Sequence, residues 1–379
     1  MTVTKVSRSV NPKSSRHKTS VLGFVLASVL FSVGLVGVPK SVEAKPVIST
    51  TKDEDWKTGP LPDGVKKKDL DALVKTAMGA PDNKIRVRSV LITINDKIVY
   101  ERYHPLDNKD SFLDTFSVSK SFVSTVVGML VDDGRLSLDQ PAPVAAWSGL
   151  NDPRSAITIR NLLHMSSGLT WKEEYTAGDS STLAMLFAPV ASDYAIALPL
   201  EVKPGTQFEY NSGNSAILMR IITDTLGGTP QAESYIKKRL LNPLGIKKVV
   251  YQRDSSGRIV GFMGINMTAR DQARFGLLYL RNGVWGKKKV ISPEWVKFSS
   301  TPSPIFQGYA GHWWTHYLLG SSASPGDFTA LVYYGQYVTV SRSKRMVMVI
   351  NTAFEGTPTE QTVKARNLVQ TLYALFPAK

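Results

Sequence analysis

The stretch DTFSVSKSF, residues 114–122, holds the side chains best suited to chemistry, because Ser117 stands three residues before Lys120. An apolar pattern at helical spacing begins directly after the serine. Lys120 would therefore lie one turn along the same helix face, about 5 to 6 Å away between Cβ atoms. A serine hydroxyl is a poor nucleophile at neutral pH, and a buried, neutral lysine can take its proton. The stretch thus predicts a nucleophilic serine with a lysine base.

A structural alternative exists for this serine. Serine is favoured at helix N-caps, where its side chain bonds to the first turn. The same S-x-x-K spacing also occurs without any suggestion of chemistry at Ser15, Ser49, Ser234 and Ser341. The four-residue pattern alone does not separate the two interpretations.

Other catalytic patterns are missing from the sequence. It has no G-x-S-x-G nucleophile elbow, no G-x-x-x-x-G-K-[ST] phosphate loop and no cysteine, which excludes thiol nucleophiles, disulfides and cysteine zinc sites. His312 and His316 would share a face only if their segment is helical, and no H-E-x-x-H motif surrounds them. We expect neither a metal nor a cofactor.

Two predicted hairpins bracket the chain. VRSVLITINDKIVYERYH contains two β-rich runs around Asn95-Asp96, a pair that favours a tight turn. YGQYVTVSRSKRMVMVINTAF predicts a second hairpin that turns at Arg342 to Lys344, followed by a helix from Glu360 to Phe376. We therefore expect strands near both ends.

Helical patterns fill the region between the hairpins. Apolar residues recur at helical spacing from Phe122 to Val131, and Thr268 is an expected helix cap with Asp271 in the capping-box position and Gly283 near the stop. The capping role of Asp271 is favoured over a catalytic one. The predicted fold class is α+β: an antiparallel sheet built from both chain ends, flanked by helices, with a large, mainly helical insertion.

The first 44 residues resemble an export signal. Val21 to Val38 is an apolar run and SVEA ends at Ala44, a plausible cleavage point. The basic leader consists of Lys5, Arg8, Lys13, Arg16 and Lys18. We expect a periplasmic or secreted protein, with an uncleaved anchor at 21–38 as the alternative. The predicted layout is a leader at 1–44, an extension and helix at 45–80, and a catalytic domain at 81–377.

The charge of the chain is basic even without the first 44 residues. Removing their six Lys/Arg and Glu43 leaves 40 basic and 30 acidic residues, about +10 instead of +15. The clusters Lys66 to Lys68 and Lys287 to Lys289 lie in turn-like stretches without interleaved aromatics, so no nucleic-acid partner is expected. The oligomeric state is left open.

Five segments, taken in order, resemble the serine β-lactamase-like hydrolases: TFSVSKSF, TIRNLLHMSSGLTW, KPGTQFEYNSGNSAIL, MTARDQARFGLLYL and YYGQYVTV. That superfamily includes class C β-lactamases, D-alanyl-D-alanine peptidases, esterases and 6-aminohexanoate-dimer hydrolase. The resemblance spans roughly residues 80 to 375. It implies a β-lactamase/transpeptidase-like fold that acts on a small ester or amide without a cofactor.

The resemblance also implies site roles. Ser117 would be the acylated nucleophile, Lys120 its base partner and Tyr210 the residue that protonates the leaving group. The backbone N–H groups of Tyr333 and Ser117 would form the oxyanion hole. Tyr175 resembles a tyrosine that closes over the substrate in the 6-aminohexanoate-hydrolase branch. A core tyrosine at 210 and a surface aromatic at 175 are the structural alternatives.

The sequence departs from the better-known relatives at two places. Where β-lactamases and peptidases carry a K-T-G-type strand, it reads ALVYYGQ; the lysine is missing, as in the esterase and 6-aminohexanoate-hydrolase branch, and Gly335-Gln336 would contact the substrate. Class C enzymes have asparagine where this chain has Ser212, so a substrate-binding amide would have to come from Asn211 or Asn214. Efficient β-lactam turnover is therefore not favoured.

Three interpretations remain. The first is an exported serine hydrolase that cleaves an ester or amide through an acyl-enzyme on Ser117. The second is a penicillin-binding D-alanyl-D-alanine peptidase or β-lactamase, favoured by export and basic charge but opposed by ALVYYGQ. The third is a non-catalytic cell-envelope binding protein on the same scaffold, opposed by the retained serine and lysine. Substrate identity depends on the loops at 171–200 and 301–327, whose shape composition does not reveal.

Overall fold

β-Branched and aromatic residues are concentrated near both ends of the chain, and these runs pair into strands. The computed structural model describes residues 56–79, 86–149, 151–175, 178–332, 334–353 and 358–378, which form one compact unit. The strands of these residues are β1 Val87–Ile94, β2 Lys97–Tyr103, β3 Val250–Tyr251, β4 Ile265–Asn266, β5 Val284–Trp285, β6 Lys288–Lys289, β7 Trp314–Thr315, β8 Phe328–Leu331, β9 Tyr337–Ser341 and β10 Met346–Thr352.

The main sheet confirms the expected topology. Its strand order is β2-β1-β10-β9-β8-β7, and every neighbouring pair is antiparallel. The first two strands thus lie beside the last one, so the sheet is built from both chain ends. Strands β3 and β4 form one separate pair, and β5 and β6 form another.

Both predicted hairpins are present. Asn95 and Asp96 join β1 to β2 with φ of +48° and +65°, a left-handed pair that Asn and Asp tolerate better than most residues. The second hairpin joins β9 to β10 through residues 342–345, with Arg345 at φ +50°. The turn residues therefore set the register of two strand pairs.

The helices of the described residues occupy the predicted regions. They are α1 Lys67–Gly79, α2 Val118–Asp132, α3 Ile159–Leu163, α4 Ser181–Phe187, α5 Ala191–Ala197, α6 Ser212–Leu226, α7 Thr229–Ile236, α8 Asn242–Leu244, α9 Ala269–Leu280, α10 Pro293–Ser300 and α11 Pro358–Leu375. Most lie between β2 and β7, as the expected insertion. The predicted C-terminal helix begins two residues early, at Pro358.

The predicted cap of α9 is also confirmed. Thr268 Oγ1 accepts a hydrogen bond from the Asp271 N–H at 3.1 Å and donates one to the Asp271 carboxylate at 2.9 Å. The bond to the Asp271 N–H satisfies one donor of the first turn, and the Asp271 carboxylate holds the capping hydroxyl in place. Asp271 therefore has the capping role that was favoured over catalysis.

The sheet separates two apolar layers. In β1, Leu91 packs with α2, α6 and α9, whereas Val90 and Ile92 pack with α1 and α11. This alternation follows the two-residue period of a strand. Helix α2 lies deepest, and it approaches α10 so closely that a Cβ on Gly128 would come within 2.5 Å of the Trp295 ring. This close approach packs the C-terminal half of α2 against α10.

The predicted leader at 1–44, with its alternative anchor at 21–38, lies outside the described residues and stays a prediction. No helix in the part of the chain that the structure describes combines the length and apolar character needed to cross a membrane. Helix α1 falls within the predicted extension at 45–80, and its buried Leu70 and Val74 pack on the sheet.

A buried histidine links three helices of the insertion. His312 Nδ1 lies 3.0 Å from the carbonyl oxygen of Leu163, which can only accept, so Nδ1 donates and Nε2 accepts from Ser215 Oγ at 2.9 Å. Ser121 of α2 donates to the His312 carbonyl at 2.6 Å. Burial lowers the pKa of His312 to about 3, and burial likewise lowers that of His164 to about 4.

These two histidines predict acid sensitivity. Between pH 6.5 and about 3 to 4 the unfolded chain binds protons that the native state does not, so the free energy of unfolding falls as pH falls through this window. We expect Tm, measured by circular dichroism, to drop by at least ~2 °C between pH 7 and 5. Asparagine tolerates the left-handed backbone at this position. The His312→Asn variant should therefore fold, have a lower Tm than wild type at pH 7, and show a smaller fall in Tm between pH 7 and 5. An equally steep loss in this variant would contradict the assignment.

Candidate active site

Ser117 directly precedes α2, in a turn with an uncommon backbone. Phe116 has φ +40°, in the left-handed region that is costly for an aromatic residue, and its ring stacks on Tyr334 with centroids 5.8 Å apart. The Ser117 hydroxyl makes no capping bond to α2. It accepts a hydrogen bond from Lys120 Nζ at 2.7 Å instead. The helix-cap alternative for this side chain is thus replaced by a serine–lysine contact.

Lys120 is buried, with 1% of its surface exposed. Its Nζ donates to Ser117 and, at 3.1 Å, to the carbonyl oxygen of Phe262, so neither partner is a carboxylate. Burial disfavours the ammonium form and lowers the pKa of Lys120 to about 8, against the smaller opposing effect of the Glu173 charge. An appreciable fraction of the amine is therefore neutral near physiological pH, as a general base requires.

Tyr210 is the third residue of the site and lies close to both Ser117 and Lys120. The Lys120 Nζ lies 5.0 Å from the centre of the Tyr210 ring. Burial and the Glu173 charge raise the pKa of Tyr210, while contact with the Ser117 hydroxyl lowers it. The phenol therefore keeps its proton at neutral pH and can donate it. The structure brings together the three residues that the sequence singled out, in an arrangement that suits proton transfer to and from a serine.

Tyr210 is held in position by the chain on both sides of it. Asn211 caps α6 by accepting a hydrogen bond from the Asn214 N–H at 3.1 Å, and the chain before the helix is tied down by a bond from the Glu209 N–H to the Met165 carbonyl oxygen at 2.8 Å. The tyrosine is thus held between a helix cap and a fixed loop. This is why a residue 90 positions from Lys120 arrives at the same site.

Glu173 is a functional candidate that the sequence analysis missed. One of its carboxylate oxygens accepts hydrogen bonds from Trp171 Nε1 at 2.6 Å and from the Ser212 N–H at 2.9 Å. The other accepts from the Tyr175 hydroxyl at 2.7 Å and the Ser212 hydroxyl at 2.6 Å. A fully hydrogen-bonded carboxylate therefore stands beside the proposed catalytic group.

Tyr175 is half-buried next to this carboxylate. Burial, then the charges of Glu173 and Tyr210, raise its pKa well above the usual range for tyrosine. The side chain is therefore part of the site's surroundings and not an isolated surface aromatic. Its predicted contact with substrate stays a prediction.

Asn214, a predicted substrate-binding residue, lies close to Met165. Its side chain is fully buried within the first turn of α6, with Nδ2 3.7 Å from the Met165 sulfur. Asn211, the other candidate amide, uses its Oδ1 to cap α6. The Oδ1 atom of Asn214 has no hydrogen-bond partner among the described residues, and its predicted contact with substrate stays a prediction.

Gly335 and Gln336 likewise serve the sheet. Gly335 has φ +90°, and a Cβ there would lie 2.3 Å from that of Ala365 in α11. The buried Gln336 amide donates to the Thr352 carbonyl and hydroxyl at 3.3 and 3.1 Å and accepts from the Thr352 N–H at 2.9 Å. These contacts give the two residues structural roles: Gly335 permits close packing, and Gln336 ties its segment to the end of β10. Their predicted contact with substrate stays a prediction.

The predicted oxyanion-hole residue Tyr333 lies outside the described residues. Its described neighbours are Val332, after the end of β8, and Tyr334, whose ring stacks on Phe116 beside the nucleophile. The oxyanion hole therefore stays a prediction for which only the Ser117 half is described.

A row of aromatic rings runs from Tyr210 to the protein surface. Trp314 stacks on Tyr210 with centroids 5.4 Å apart, Phe208 lies 6.4 Å from Trp314, and Phe306 lies 4.4 Å from Phe208. Phe306 is 40% exposed. We call Phe208, Phe306 and Trp314 the aromatic row. It offers an apolar surface that leads directly to the proposed acid.

Glu173 and the aromatic row escaped the sequence analysis for the same reason. Glu173 matters because of Ser212, which is 39 residues away, and Trp314 matters because of Tyr210. Neither pairing leaves a local pattern. The only available signal was the position of Glu173 two residues before Tyr175, in the same WKEEYTAG loop.

These features are typical of one class of protein, the serine hydrolases in which a lysine and a tyrosine flank a serine. The family profile described as Beta-lactamase matches residues 70–373, and the chain belongs to this family. Members and structural neighbours of this family include hydrolases and a penicillin-binding protein.

Two curated relatives agree with this assignment. The chain is 27% identical over 247 residues to 6-aminohexanoate-dimer hydrolase of Paenarthrobacter ureafaciens, covering 60% of this chain and 61% of that protein. It is 31% identical over 140 residues to Penicillin-binding protein 4 of Amycolatopsis lactamdurans, covering 36% and 35%. The chain therefore matches about three-fifths and one-third of the lengths of these relatives.

Solved structures share the fold. A Bacillus anthracis protein provisionally named a 6-aminohexanoate-dimer hydrolase has a TM-score of 0.66 at 22% identity, covering 84% of this chain and 87% of that one. The hydrolase EstCE1, described as having promiscuous acyltransferase activity, has a TM-score of 0.62 at 15% identity, covering 80% and 99%. These likenesses confirm the β-lactamase/transpeptidase-like fold.

The pKa of Lys120 predicts a pH dependence for Ser117. If neutral Lys120 is the base, the rate of Ser117 labelling by a fluorophosphonate should rise about tenfold per pH unit below pH 7 and level off above a pKa of about 8. Lys120→Met should lower the plateau rate by about 100-fold or more. The exposed Lys203→Met is the matched control and should behave as wild type. A pH-independent rate in the wild-type protein would contradict the role of Lys120.

Proposed function

We propose that this protein cleaves a small ester or amide through an acyl-enzyme on Ser117, with Lys120 and Tyr210 as the base and acid pair. One observation carries the proposal: a buried lysine, whose hydrogen bonds go to a hydroxyl and a backbone carbonyl, lies 2.7 Å from the serine hydroxyl. Burying a lysine in this way is costly unless its neutral form is used. A purely structural role would be served better by an apolar side chain.

Acylation begins with a proton transfer from the nucleophile. Neutral Lys120 accepts the hydroxyl proton of Ser117 as Oγ bonds to the substrate carbonyl carbon. The tetrahedral oxyanion then collapses, and the C–O or C–N bond to the leaving group breaks. Tyr210 donates its proton to the leaving oxygen or nitrogen and regains one from Lys120.

Deacylation uses the same groups in reverse. A water molecule loses a proton to the Lys120–Tyr210 unit as its oxygen bonds to the acyl carbon. The bond from that carbon to Ser117 Oγ then breaks, and Oγ takes the proton back. The acid product leaves and the site returns to its starting protonation state.

The developing oxyanion needs hydrogen-bond donors. We assign this role to the N–H groups of Ser117 and Tyr333, because Ser117 directly precedes α2 and the partial positive charge of a helix N-terminus favours an anion there. Such donors contribute much of the transition-state stabilisation in acyl transfer, and the loss of one lowers the rate about 100- to 1000-fold.

The proposed substrate has an apolar group and needs no carboxylate. The stretch ALVYYGQ lacks the lysine that helps β-lactamases and peptidases hold a substrate carboxylate. The aromatic row supplies apolar surface beside Tyr210. The names of two relatives, a 6-aminohexanoate-dimer hydrolase and a hydrolase with acyltransferase activity, support amide or ester cleavage. The protein would act outside the cytoplasm after export directed by residues 1–44.

The central test compares two serines with the same S-x-x-K spacing. Ser117→Ala should abolish both fluorophosphonate labelling and hydrolysis, whereas Ser234→Ala, at an exposed position of α7, should leave both unchanged. The substrates are p-nitrophenyl esters, linear amide dimers and nitrocefin, with intact mass spectrometry to detect the acyl-enzyme. The same spectra report whether the chain begins after Ala44.

The outcomes separate the candidate functions. Ester or amide turnover with a transient Ser117 adduct supports the proposal. A stable penicillin adduct on Ser117, without ester or amide turnover, would instead support a penicillin-binding peptidase. Unchanged labelling of Ser117→Ala would contradict nucleophilic catalysis at this residue.

The aromatic row predicts a preference for aromatic over short acyl substrates. Phe306→Ala should raise KM for a phenylacetyl ester about 2- to 10-fold, the range of one lost aromatic contact, with little change in kcat. The acetyl ester should be affected less. Phe187→Ala, which removes another exposed phenylalanine, is the control. Equal effects on both esters would contradict a binding role for the row.

A further inference from the structure

The hydrogen bonds to Glu173 join parts of the chain that are far apart in sequence. Trp171 is buried in the core, Tyr175 lies further along the same loop, and Ser212 is the first residue of α6. All three donate to the one carboxylate, at 2.6 to 2.9 Å. Glu173 therefore fastens the loop at 171–175 to the start of α6, two residues after Tyr210.

The donors fit a carboxylate better than its amide analogue. An indole N–H and a backbone N–H can only donate, and both point at Glu173 Oε2. The two hydroxyls that contact Oε1 also donate to it. In a glutamine at this position, an NH₂ group would replace one of the two oxygens and would face two hydrogen-bond donors, with which it cannot pair. All four donors are uncharged, so they hold the carboxylate without neutralising it by a cation.

The charge on Glu173 acts on titratable groups from several elements packed around it. They include Lys120 of α2, Tyr210 and Glu209 before α6, Tyr175 of its own loop, and Tyr309 before β7. The other titratable group that acts electrostatically with Lys120 is the buried His312. Among these groups Lys120 is the only one able to carry a positive charge near neutral pH. A carboxylate in these surroundings opposes the effect of burial on that amine.

We propose that Glu173 is a positioning residue for the acyl-enzyme chemistry: a fixed negative charge that locks the Tyr175 loop to α6 and acts on Lys120 and Tyr210. This inference rests on the proposed function. It also accounts for the serine at 212, where the class C pattern has asparagine. The Ser212 hydroxyl and N–H both donate to Glu173, so the residue at this position serves the carboxylate.

The test separates charge from structure with four variants. Glu173→Gln removes the charge, Glu173→Asp keeps it, and Ser212→Ala keeps it but removes one hydrogen bond. Glu174→Gln is the matched control, because this neighbour is about half-exposed and lies 3.8 Å from the exposed Lys172. Fluorophosphonate labelling of Ser117 is followed from pH 5 to 10, and Tm is measured for each folded variant.

The sign of the expected shift depends on the charge. A carboxylate stabilises the protonated form of Lys120, so its loss should move the rise in labelling rate to lower pH. The shift in Glu173→Gln should be about one unit, which at an effective dielectric near 20 corresponds to a unit charge roughly 12 Å away. Glu173→Asp, Ser212→Ala and Glu174→Gln should keep the wild-type midpoint, although the first two should label more slowly.

The outcomes distinguish this inference from the proposed function. A folded Glu173→Gln with the wild-type midpoint would overturn the charge role, as would a shift of equal size in Ser212→Ala. If Glu173→Gln does not fold, Glu173→Asp decides: a midpoint at least about half a unit from wild type overturns the proposal. Failure of the wild-type protein to label at Ser117 would refute the proposed function itself.

Discussion

The site depends on the burial of one amine. Lys120 lies in the first turn of α2, and its Nζ donates hydrogen bonds to the Ser117 hydroxyl and to the Phe262 carbonyl oxygen. Removing an ammonium ion from water without a hydrogen-bonded carboxylate shifts the balance toward the neutral base. That shift requires the apolar surroundings of α2 to be complete, and both the sheet and the helical insertion contribute to them. The large core thus has a chemical consequence as well as a structural one.

Several features around Lys120 would be unfavourable in isolation. Phe116 and Tyr334 both have left-handed backbones, and their rings stack on each other beside the nucleophile. Such conformations persist only where the surrounding structure determines them, and they are common at functional sites. Here the stacking of the two rings and the close packing of Gly335 on α11 supply that support. Strain and burial therefore occur in the same small region.

The charge pattern of the site separates this chain from the better-known members of its family. The lysine of the K-T-G-type strand is missing, and a carboxylate held by neutral donors stands beside the catalytic group. A family fold supports many chemistries, so function has to be argued from such differences. The aromatic row contacts Tyr210 through Trp314, and the charge of Glu173 acts on the same tyrosine.

The sequence alone determined the serine–lysine pair, the two hairpins, the cap of α9 and the family, because each leaves a local pattern of spacing or turn residues. It did not reveal that Gly335 packs on α11 or that Gln336 bonds to Thr352, since a side chain's identity does not show which neighbour it faces. Only the tertiary structure decided that Lys120 is buried, that Tyr210 meets it and that Glu173 bonds to Ser212. Each of these contacts joins residues that are far apart in the chain. The burial of Lys120 depends on many such contacts at once, so no local sequence pattern reveals it.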